Sequence, residues 1–456
     1  MPRPALSSLS STQCSHSQLC FQSSSHVDAV GYRRPTLEER KTARSAPPPR
    51  QNLKSKGLKS TSKTRNSCAI KDESISTFPS PLVLPGDDIA LDPTYPPQSL
   101  DDWINEEDRN KVTPRKNVVY LAVPPDIDED VGFVRQWSIP QVKCAKPPPE
   151  PDAENVLDYL KAFYHGLPVK ILPKPLSFGT WEDDSNQKNS RGKDKSAEPR
   201  YIGLNIKTES VRIRARASPD GLFKRQLNLD DLLDATISML PKDAYALLLL
   251  VKQDLYEDDD DLFTCGRAYG GSRVAVVSTA RYNPTLDGKQ NVNREHSWPA
   301  SHCQDYISSC AGASRPKKKA KINPAIASED DRSTPLQAAL SAHKSLSSLE
   351  LFPTADQLSG LWLGRVCRTA SHELGHCFGI DHCMYYACSM QGSASLAEDA
   401  RQPPYLCLID LAKMLQATGS TAEERYLALL SFCTKHQETH LFAAYGAWIS
   451  GRLQEM

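Results

Sequence analysis

Residues 371–392 read S-H-E-L-G-H-C-F-G-I-D-H-C-M-Y-Y-A-C-S-M-Q-G, and residues 405–410 read Y-L-C-L-I-D. Together they hold two partly interleaved sets of histidine, cysteine and acidic residues, the side chains that bind zinc in proteins. The rest of the chain is interpreted around these two sets. The first is typical of a catalytic zinc ion and the second of a structural one.

The first set is an H-E-x-x-H motif followed by a glycine and a third histidine. His372 and His376 are four residues apart, so a helix places both rings on one face, one above the other. Gly379 can adopt a positive φ and end the helix, so that the chain turns back and brings His382 to the same ion. Three imidazoles then leave one coordination position open, which is the arrangement of a catalytic zinc site.

Glu373 follows His372 directly, so its carboxylate lies beside the ion without having to bind it. Zinc lowers the pKa of a water in the open position to about 7. Glu373 is predicted to accept a proton from that water and to pass it to the leaving amine. The expected reaction is hydrolysis of a peptide bond in a peptide or protein substrate. Two alternatives stay open: a pair of surface histidines on an ordinary helix, and a zinc-binding protein without catalysis.

The second set consists of Cys383, Cys388, Cys407 and Asp410. Cys407 and Asp410 have the C-x-x-C spacing, with a carboxylate where a thiolate is usual. Zinc accepts carboxylate oxygen, so three sulfurs and one oxygen can form a closed structural site. The alternative is a group of reduced cysteines buried in a small core, with Asp410 not binding.

A helix is predicted for the segment that carries the histidine pair. Residues 361–378 contain no proline, and apolar residues recur every three or four positions. This apolar stripe consists of Leu363, Val366, Ala370, Leu374 and Cys377. The opposite side carries Arg365, Thr369, His372 and His376. The helix therefore buries one face and presents the histidines on the other.

The run from the first histidine to the last aspartate resembles the archaemetzincin family of zinc metallopeptidases. The resemblance implies that His372, His376 and His382 bind the catalytic zinc and that Glu373 is the base. It also implies a second zinc on Cys383, Cys388 and Cys407, with Asp410 standing where the family has a fourth cysteine. Met390 would be the methionine of the turn that lies under the metal in metzincins. Two zinc ions per chain are therefore expected.

The composition excludes several other classes of protein. The 456 residues contain 55 basic and 55 acidic side chains, so no net field steers the chain to nucleic acid or membrane. No apolar run is long enough for a transmembrane helix, and the first residues lack the apolar core of a secretory signal. The 13 cysteines are odd in number and irregularly spaced, which favours a reducing compartment, cytoplasmic or nuclear, over a disulfide framework. A monomer is expected.

Residues 1–77 are rich in serine, proline and basic side chains and are predicted to be a disordered tail. The catalytic domain is predicted to span residues 78–456, with flexible insertions at 182–199 and 308–343. The second insertion carries Lys317, Lys318, Lys319 and Lys321, a basic run that suits a nuclear import carrier. A nuclear protein that contacts nucleic acid is the third functional alternative, although the zero net charge speaks against it.

The fold prediction is α+β with an α/β-like upper part. Residues 117–123 and 244–251 are apolar runs with the character of central strands, and 273–279 is a further strand. The resemblance to metzincins implies that this third strand lies near the edge of the cleft. By resemblance, these strands form a metzincin-type mixed, twisted sheet above the active-site helix, with a smaller zinc-stapled subdomain below.

Another group of possible metal ligands occurs in the stretch E-H-S-W-P-A-S-H-C. His296, His302 and Cys303 lie at spacings that match no common metal motif, so they are interpreted as loop or packing residues. Cys14, Cys20 and Cys68 of the tail receive no role.

Overall fold

The computed structural model describes residues 14–45, 75–144, 146–181, 199–206, 209–311, 334–350 and 352–456. Most of the two predicted insertions, including the lysines at 317–321, lies outside the described residues, as do residues 1–13 and 46–74 of the predicted tail.

Strands and helices alternate along the first two-thirds of the chain, and helices alone follow. The strands are β1 (Val118–Ala122), β2 (Asp126–Ile127), β3 (Val169–Ile171), β4 (Ser177–Gly179), β5 (Tyr201–Ile206), β6 (Glu209–Ala217), β7 (Arg225–Asn228), β8 (Ala244–Val251), β9 (Asp254–Tyr256), β10 (Gly266–Tyr269) and β11 (Val274–Ser278). The α-helices are α1 (Val27–Val30), α2 (Leu37–Arg44), α3 (Asp88–Leu91), α4 (Leu100–Asn105), α5 (Ala153–Phe163), α6 (Leu229–Ser238), α7 (Gln304–Cys310), α8 (Pro335–Ser345), α9 (Ala355–Cys377), α10 (Leu396–Asp399), α11 (Leu408–Thr418), α12 (Ala422–Lys435) and α13 (His440–Glu455). Short 3-10 helices span Glu129–Ser138, Gly270–Ser272, Ala280–Tyr282, Pro284–Leu286 and Ala300–His302.

The first sheet has the strand order β10-β11-β8-β1-β3. Its inner strands are parallel, and β10 pairs antiparallel with β11 at the edge. Every residue of β1, β8 and β11 is buried, as expected for parallel strands covered on both faces. The predicted central strands at 117–123 and 244–251 are confirmed. The strand expected at 273–279 is confirmed as β11, and β10 lies between it and the edge of the sheet.

The second sheet has the order β2-β4-β5-β6-β7-β9. It faces one side of the first sheet, and apolar residues of both sheets and of α6 form a shared core, among them Tyr120, Leu249, Ile202, Ile213 and Leu232. Alternate residues of the same central strands, such as Val119, Leu121 and Leu248, point into a second core formed with α5, α9 and the C-terminal helices. The active-site helix α9 therefore packs on the first sheet from the side opposite the second sheet.

Helix α9 is longer than predicted at its N-terminal end, where Thr354 forms a capping box with Gln357. The side of the helix that was predicted to be polar is largely buried by other segments of the chain. Arg365 is buried and its guanidinium contacts both carboxylate oxygens of Asp287, at 2.7 and 3.0 Å. Buried pairs of this kind hold the segments around the helix in register with it.

Part of the predicted disordered tail is folded in the structure. Thr36 and Glu39 form a capping box on α2, the hydroxyl of Tyr32 donates to the carbonyl of Met384 at 2.7 Å, and Arg34 Nε donates to the carbonyl of Tyr385 at 3.1 Å. The prediction of disorder was wrong for residues 14–45. It was made from the average composition of the whole tail, whereas a few side chains of this part, such as Tyr32 and Arg34, hold it against the catalytic domain.

The edges of the predicted 308–343 insertion are helical. Helix α7 runs into its start and α8 covers its end, where Pro335 packs closely against Gly451 of α13. None of the helices in the described ranges combines the length and the apolarity that crossing a membrane requires.

Candidate metal centre and active-site cleft

Three histidines converge at the C-terminal end of α9. The Nε2 atoms of His372 and His376 are 3.0 Å apart, and the ring centroid of His382 lies 5.4 and 5.0 Å from theirs. One ring nitrogen from each of the three lies within 4.8 Å of the others. The structure thus brings together the three residues that the sequence singled out.

The two helical imidazoles are oriented by backbone carbonyls. His372 Nδ1 lies 2.7 Å from the carbonyl of Ser389, and His376 Nδ1 lies 2.8 Å from that of Ile380. A carbonyl can only accept, so Nδ1 carries the proton and Nε2 presents its lone pair toward the neighbouring ring. This is the arrangement usual for zinc-binding histidines.

The electrostatic environment keeps the imidazoles neutral. Burial, reinforced by the neighbouring histidines, lowers the pKa of His372 well below its ordinary value and that of His376 to about 4. Burial also lowers the pKa of His382. Neutral imidazole is the form that binds a metal ion, so the donor set fits zinc.

Gly379 ends the helix as the sequence predicts. It adopts a φ of +73°, and its N–H donates to the carbonyl of His376 at 2.9 Å. The turn directs the chain back toward the helix, so that His382 meets the other two rings.

Two residues near His382 were not predicted. The carboxylate of Asp88 lies 3.9 Å from His382 Nδ1. Gly392 leaves room for this approach, since a Cβ there would lie 2.1 Å from Asp88 Oδ2 and 2.7 Å from His382 Nδ1. Asp88 lies almost 300 positions upstream of its partner, so no local pattern could have revealed it. A carboxylate behind a histidine is a common support for a metal ligand.

Glu373 is buried and lines the same cleft as the three imidazoles. Burial raises the pKa of its carboxyl to about 8, and the positive charge of Arg267 opposes this shift. A bound cation would favour the carboxylate form further. Without an ion, the side chain is thus a stronger base than a solvent-exposed glutamate, and a bound cation would reduce this difference.

Met390 lies under the helix turn that joins the two helical histidines. It is fully buried, and a Cβ on Gly375 would lie 2.5 Å from its Sδ, so only glycine leaves room for this contact. The carbonyl of Met390 accepts from the N–H of Cys383 at 2.8 Å. The methionine therefore packs against the segments that carry all three histidines.

The histidines open into a cleft of about 860 Å³. The edge strand β10 forms one wall, and the segment from His382 to Gln402 forms the other. Its lining includes Tyr95, Arg267, Asp381 and Asp399. The cleft is large enough to admit an extended peptide to the metal centre.

The second set is also assembled, and all four of its side chains are buried. The Sγ atoms of Cys383 and Cys407 are 3.6 Å apart. Asp410 Oδ2 lies 3.3 Å from the Sγ of Cys388 and 3.4 Å from that of Cys407. One oxygen of Asp410 therefore occupies the corner at which a fourth sulfur would be expected.

The sulfurs of this set lie among hydrogen-bond donors. The N–H groups of Cys407 and Met390 point to the Sγ of Cys388, at 3.2 and 3.5 Å. Burial opposes ionisation of Cys383, but hydrogen bonds from Cys388, Cys407 and nearby backbone lower its pKa well below the ordinary value. Burial and the contacts with Cys383 raise the pKa of Cys388 and Cys407 well above the ordinary value, so without an ion the donors stabilise a thiolate at Cys383 alone.

The other oxygen of Asp410 is occupied by a residue that the sequence analysis missed. Lys413 Nζ lies 2.9 Å from Asp410 Oδ1 and donates to both oxygens of Gln98 at 2.8 Å. Burial and the Cys383 thiolate raise the pKa of Asp410 to about 6, and Lys413 opposes the rise. The lysine thus holds the carboxylate charged and aimed at the sulfurs. The spacing of three residues between Asp410 and Lys413 on a predicted helix was the sequence signal that could have revealed this ion pair.

A trio of neutral imidazoles beside a buried carboxylate, at the bottom of an open cleft, defines a metal-dependent hydrolase. Comparison with known proteins is consistent with this class. Residues 341–415 match Peptidase family M54. The chain is 25% identical over 339 residues to archaemetzincin-2 of Rattus norvegicus, covering 74% of this chain and 69% of the relative. It is 30% identical over 241 residues to archaemetzincin-1 of Mus musculus, covering 51% and 40%.

The chain is thus similar to archaemetzincins along most of its length and to Peptidase family M54 over residues 341–415. Among solved structures, the archaemetzincin of Methanopyrus kandleri aligns with 67% of this chain and 98% of its own, at 17% identity and a TM-score of 0.30.

Proposed function

We propose that this chain hydrolyses peptide bonds at the three-histidine centre, with Glu373 as the general base. The observation that supports this most directly is the convergence of three imidazole nitrogens beside a buried carboxylate. Within the described residues, no fourth histidine, cysteine or acid joins the three histidines as a ligand. The open position is what distinguishes catalytic zinc sites from structural ones.

Zinc, when bound, supplies a Lewis acid that polarises the scissile carbonyl and lowers the pKa of a water. Glu373 accepts a proton from this water and delivers it to the nitrogen of the leaving amine. Burial strengthens it as a base. The carbonyls of Ser389 and Ile380 keep two imidazoles in the tautomer that the ion needs.

The substrate is proposed to bind as an extended strand along β10. This strand pairs with β11 on one side and lies at the end of the strand order in the described sheet. Its other edge faces the cleft, where backbone groups can pair with a peptide and leave side chains to contact the walls. In this proposal the cleft has the metzincin arrangement, with the sheet above the ion and the segment 382–402 below.

Treatment of the purified protein with a chelator is expected to abolish peptide cleavage, because the water loses its activating ion. Added zinc should restore cleavage. The measurement is the cleavage profile of a peptide library by mass spectrometry, with zinc content determined in the same samples.

The zinc-binding protein without catalysis is the alternative that this experiment separates. It predicts full zinc content in the untreated and the zinc-restored protein, and no cleaved peptide in either of them. The nucleic-acid alternative depends on two basic stretches, at 54–65 of the tail and at 315–321, which both lie outside the described residues. No contact or charge pattern of the described residues favours it.

A further inference from the structure

The folded part of the N-terminal tail lies against the start of α7. Leu19 and Cys303 form an antiparallel β-bridge. The N–H of Cys20 donates to the carbonyl of His302 at 2.8 Å, and the N–H of Gln304 donates to the carbonyl of Gln18 at 3.0 Å. These contacts fix the register of the segment 14–20 against the loop that precedes α7.

This register brings four metal-binding side chains together. Cys14, His16, His296 and Cys303 each offer one donor atom, and the four atoms lie within 4.8 Å of one another. The Sγ atoms of the two cysteines are 3.5 Å apart, and the two imidazole centroids are 5.0 Å apart. His302, which the sequence grouped with these residues, is not among them and lies instead 3.3 Å from the carbonyl of Ser80.

The imidazoles of this cluster are buried without hydrogen-bond partners. His16 is 8% exposed and His296 is 7% exposed. His16 Nε2 and both ring nitrogens of His296 have no partner. Leaving a buried polar atom unpaired is unfavourable, because the atom loses its hydrogen bonds to water without replacement. Ordinary packing therefore explains the cluster poorly, whereas a bound ion would accept the nitrogen lone pairs.

The backbone of His16 is a second sign of constraint. It adopts a φ of +49°, in the left-handed region that few residues other than glycine visit. The ring of His296 is held from its other side by stacking on Tyr306, at 4.3 Å between centroids and 9° between planes. The imidazole of His296 is thus positioned by a contact outside the cluster, as a ligand of a preformed site would be.

We propose that Cys14, His16, His296 and Cys303 bind a third zinc ion, in a closed structural site separate from the other two sets. Two sulfurs and two nitrogens are the donor set of many structural zinc sites. Two thiolates at about 2.3 Å from one tetrahedral zinc lie about 3.8 Å apart, close to the separation found here. Two thiolates also balance the charge of the ion, and soft sulfur selects zinc over magnesium or calcium.

The site would fasten the N-terminal segment to the catalytic domain. Beyond the cluster, the N–H of Ser80 donates to the carbonyl of Phe21, and Ser24 contacts the backbone of Leu82 and Val83. The same stretch leads to Asp88, which lies behind His382. The third ion therefore anchors a segment that supports the residues around the catalytic centre.

A disulfide between Cys14 and Cys303 is the competing explanation of the cysteine pair. A disulfide requires a sulfur–sulfur distance of about 2.05 Å, and it would leave both imidazoles without an ion to bind. The two explanations differ in metal content and in the number of free thiols, so both are measured.

The test uses the full chain purified under reducing conditions, with zinc counted by mass spectrometry of the metal. Cys14→Ser combined with His16→Gln is expected to lower the content by one zinc per chain, while the far-ultraviolet circular dichroism stays unchanged. Cys20→Ser, in the same segment but outside the cluster, should keep the full content. Cobalt loading should show less thiolate-to-cobalt absorption in the double variant than in this control.

Equal zinc content in the double variant and the control would overturn the proposal. So would a Cys14–Cys303 disulfide peptide recovered from the protein prepared without reductant in place of bound metal. Because the readout is a difference of one ion between two variants, the result does not depend on peptidase activity. Faster proteolysis within residues 14–20 of the double variant is the expected accompanying effect.

Discussion

Replacing Glu373 by glutamine is expected to lower kcat for peptide hydrolysis by a factor of about 10²–10⁴, the usual contribution of a general acid–base residue. The amide has nearly the shape of the carboxylate but accepts no proton. Glu373 is not one of the clustered metal-binding donors, so the zinc content should not change. The measurement is the single-turnover rate of peptide cleavage, with the zinc content determined on the same preparation.

Asp260→Asn is the matched control for this substitution. It makes the same change from acid to amide on an exposed residue of the same cleft that belongs to none of the clusters of metal-binding side chains. Its kcat should stay close to that of the unaltered protein. A Glu373→Gln protein that holds its zinc and cleaves peptides as fast as this control would refute the proposed role.

Cys388→Ala is expected to remove one zinc per chain and to lower the free energy of unfolding by more than about 3 kcal/mol, because a structural zinc contributes its binding energy to folding. The substitution takes away one sulfur donor. It also leaves Asp410 buried among the remaining cysteines without the ion that offsets their charge. Denaturant unfolding with zinc analysis measures both effects.

Cys433→Ala is the control for this second prediction. Cys433 is also a fully buried thiol, in α12, and belongs to none of the three metal-binding sets. Its replacement removes the same atom and should cost about 1 kcal/mol through the small cavity alone. If Cys388→Ala loses no zinc and is no less stable than Cys433→Ala, the second set is a cluster of reduced cysteines rather than a metal site.

The parts of the metal centres that are local in sequence were predictable. The spacing of His372 and His376 and the glycine at 379 determine where three imidazoles meet, because helix periodicity and one positive φ are enough to place them. Likewise, β8 was predictable because a continuous apolar run is the sequence pattern of a strand that is buried on both faces.

The parts that depend on distant segments were not predictable. Asp88 and Gln98 reach the two metal sets only after the chain has folded. The Cys14–Cys303 pairing spans 289 positions, and neither half carries a recognisable motif. The edge strand β10 was missed because its four residues, G-R-A-Y, show neither alternation nor a β-branched run.

We propose that the three imidazoles hold one zinc ion and leave a position open for water. Anomalous diffraction recorded at the zinc absorption edge from crystals of the full chain tests it most directly. The predicted result is a peak about 2.0–2.1 Å from one nitrogen each of His372, His376 and His382, with no fourth protein ligand. A map without a peak there, or with a fourth side chain closing the site, would contradict the account.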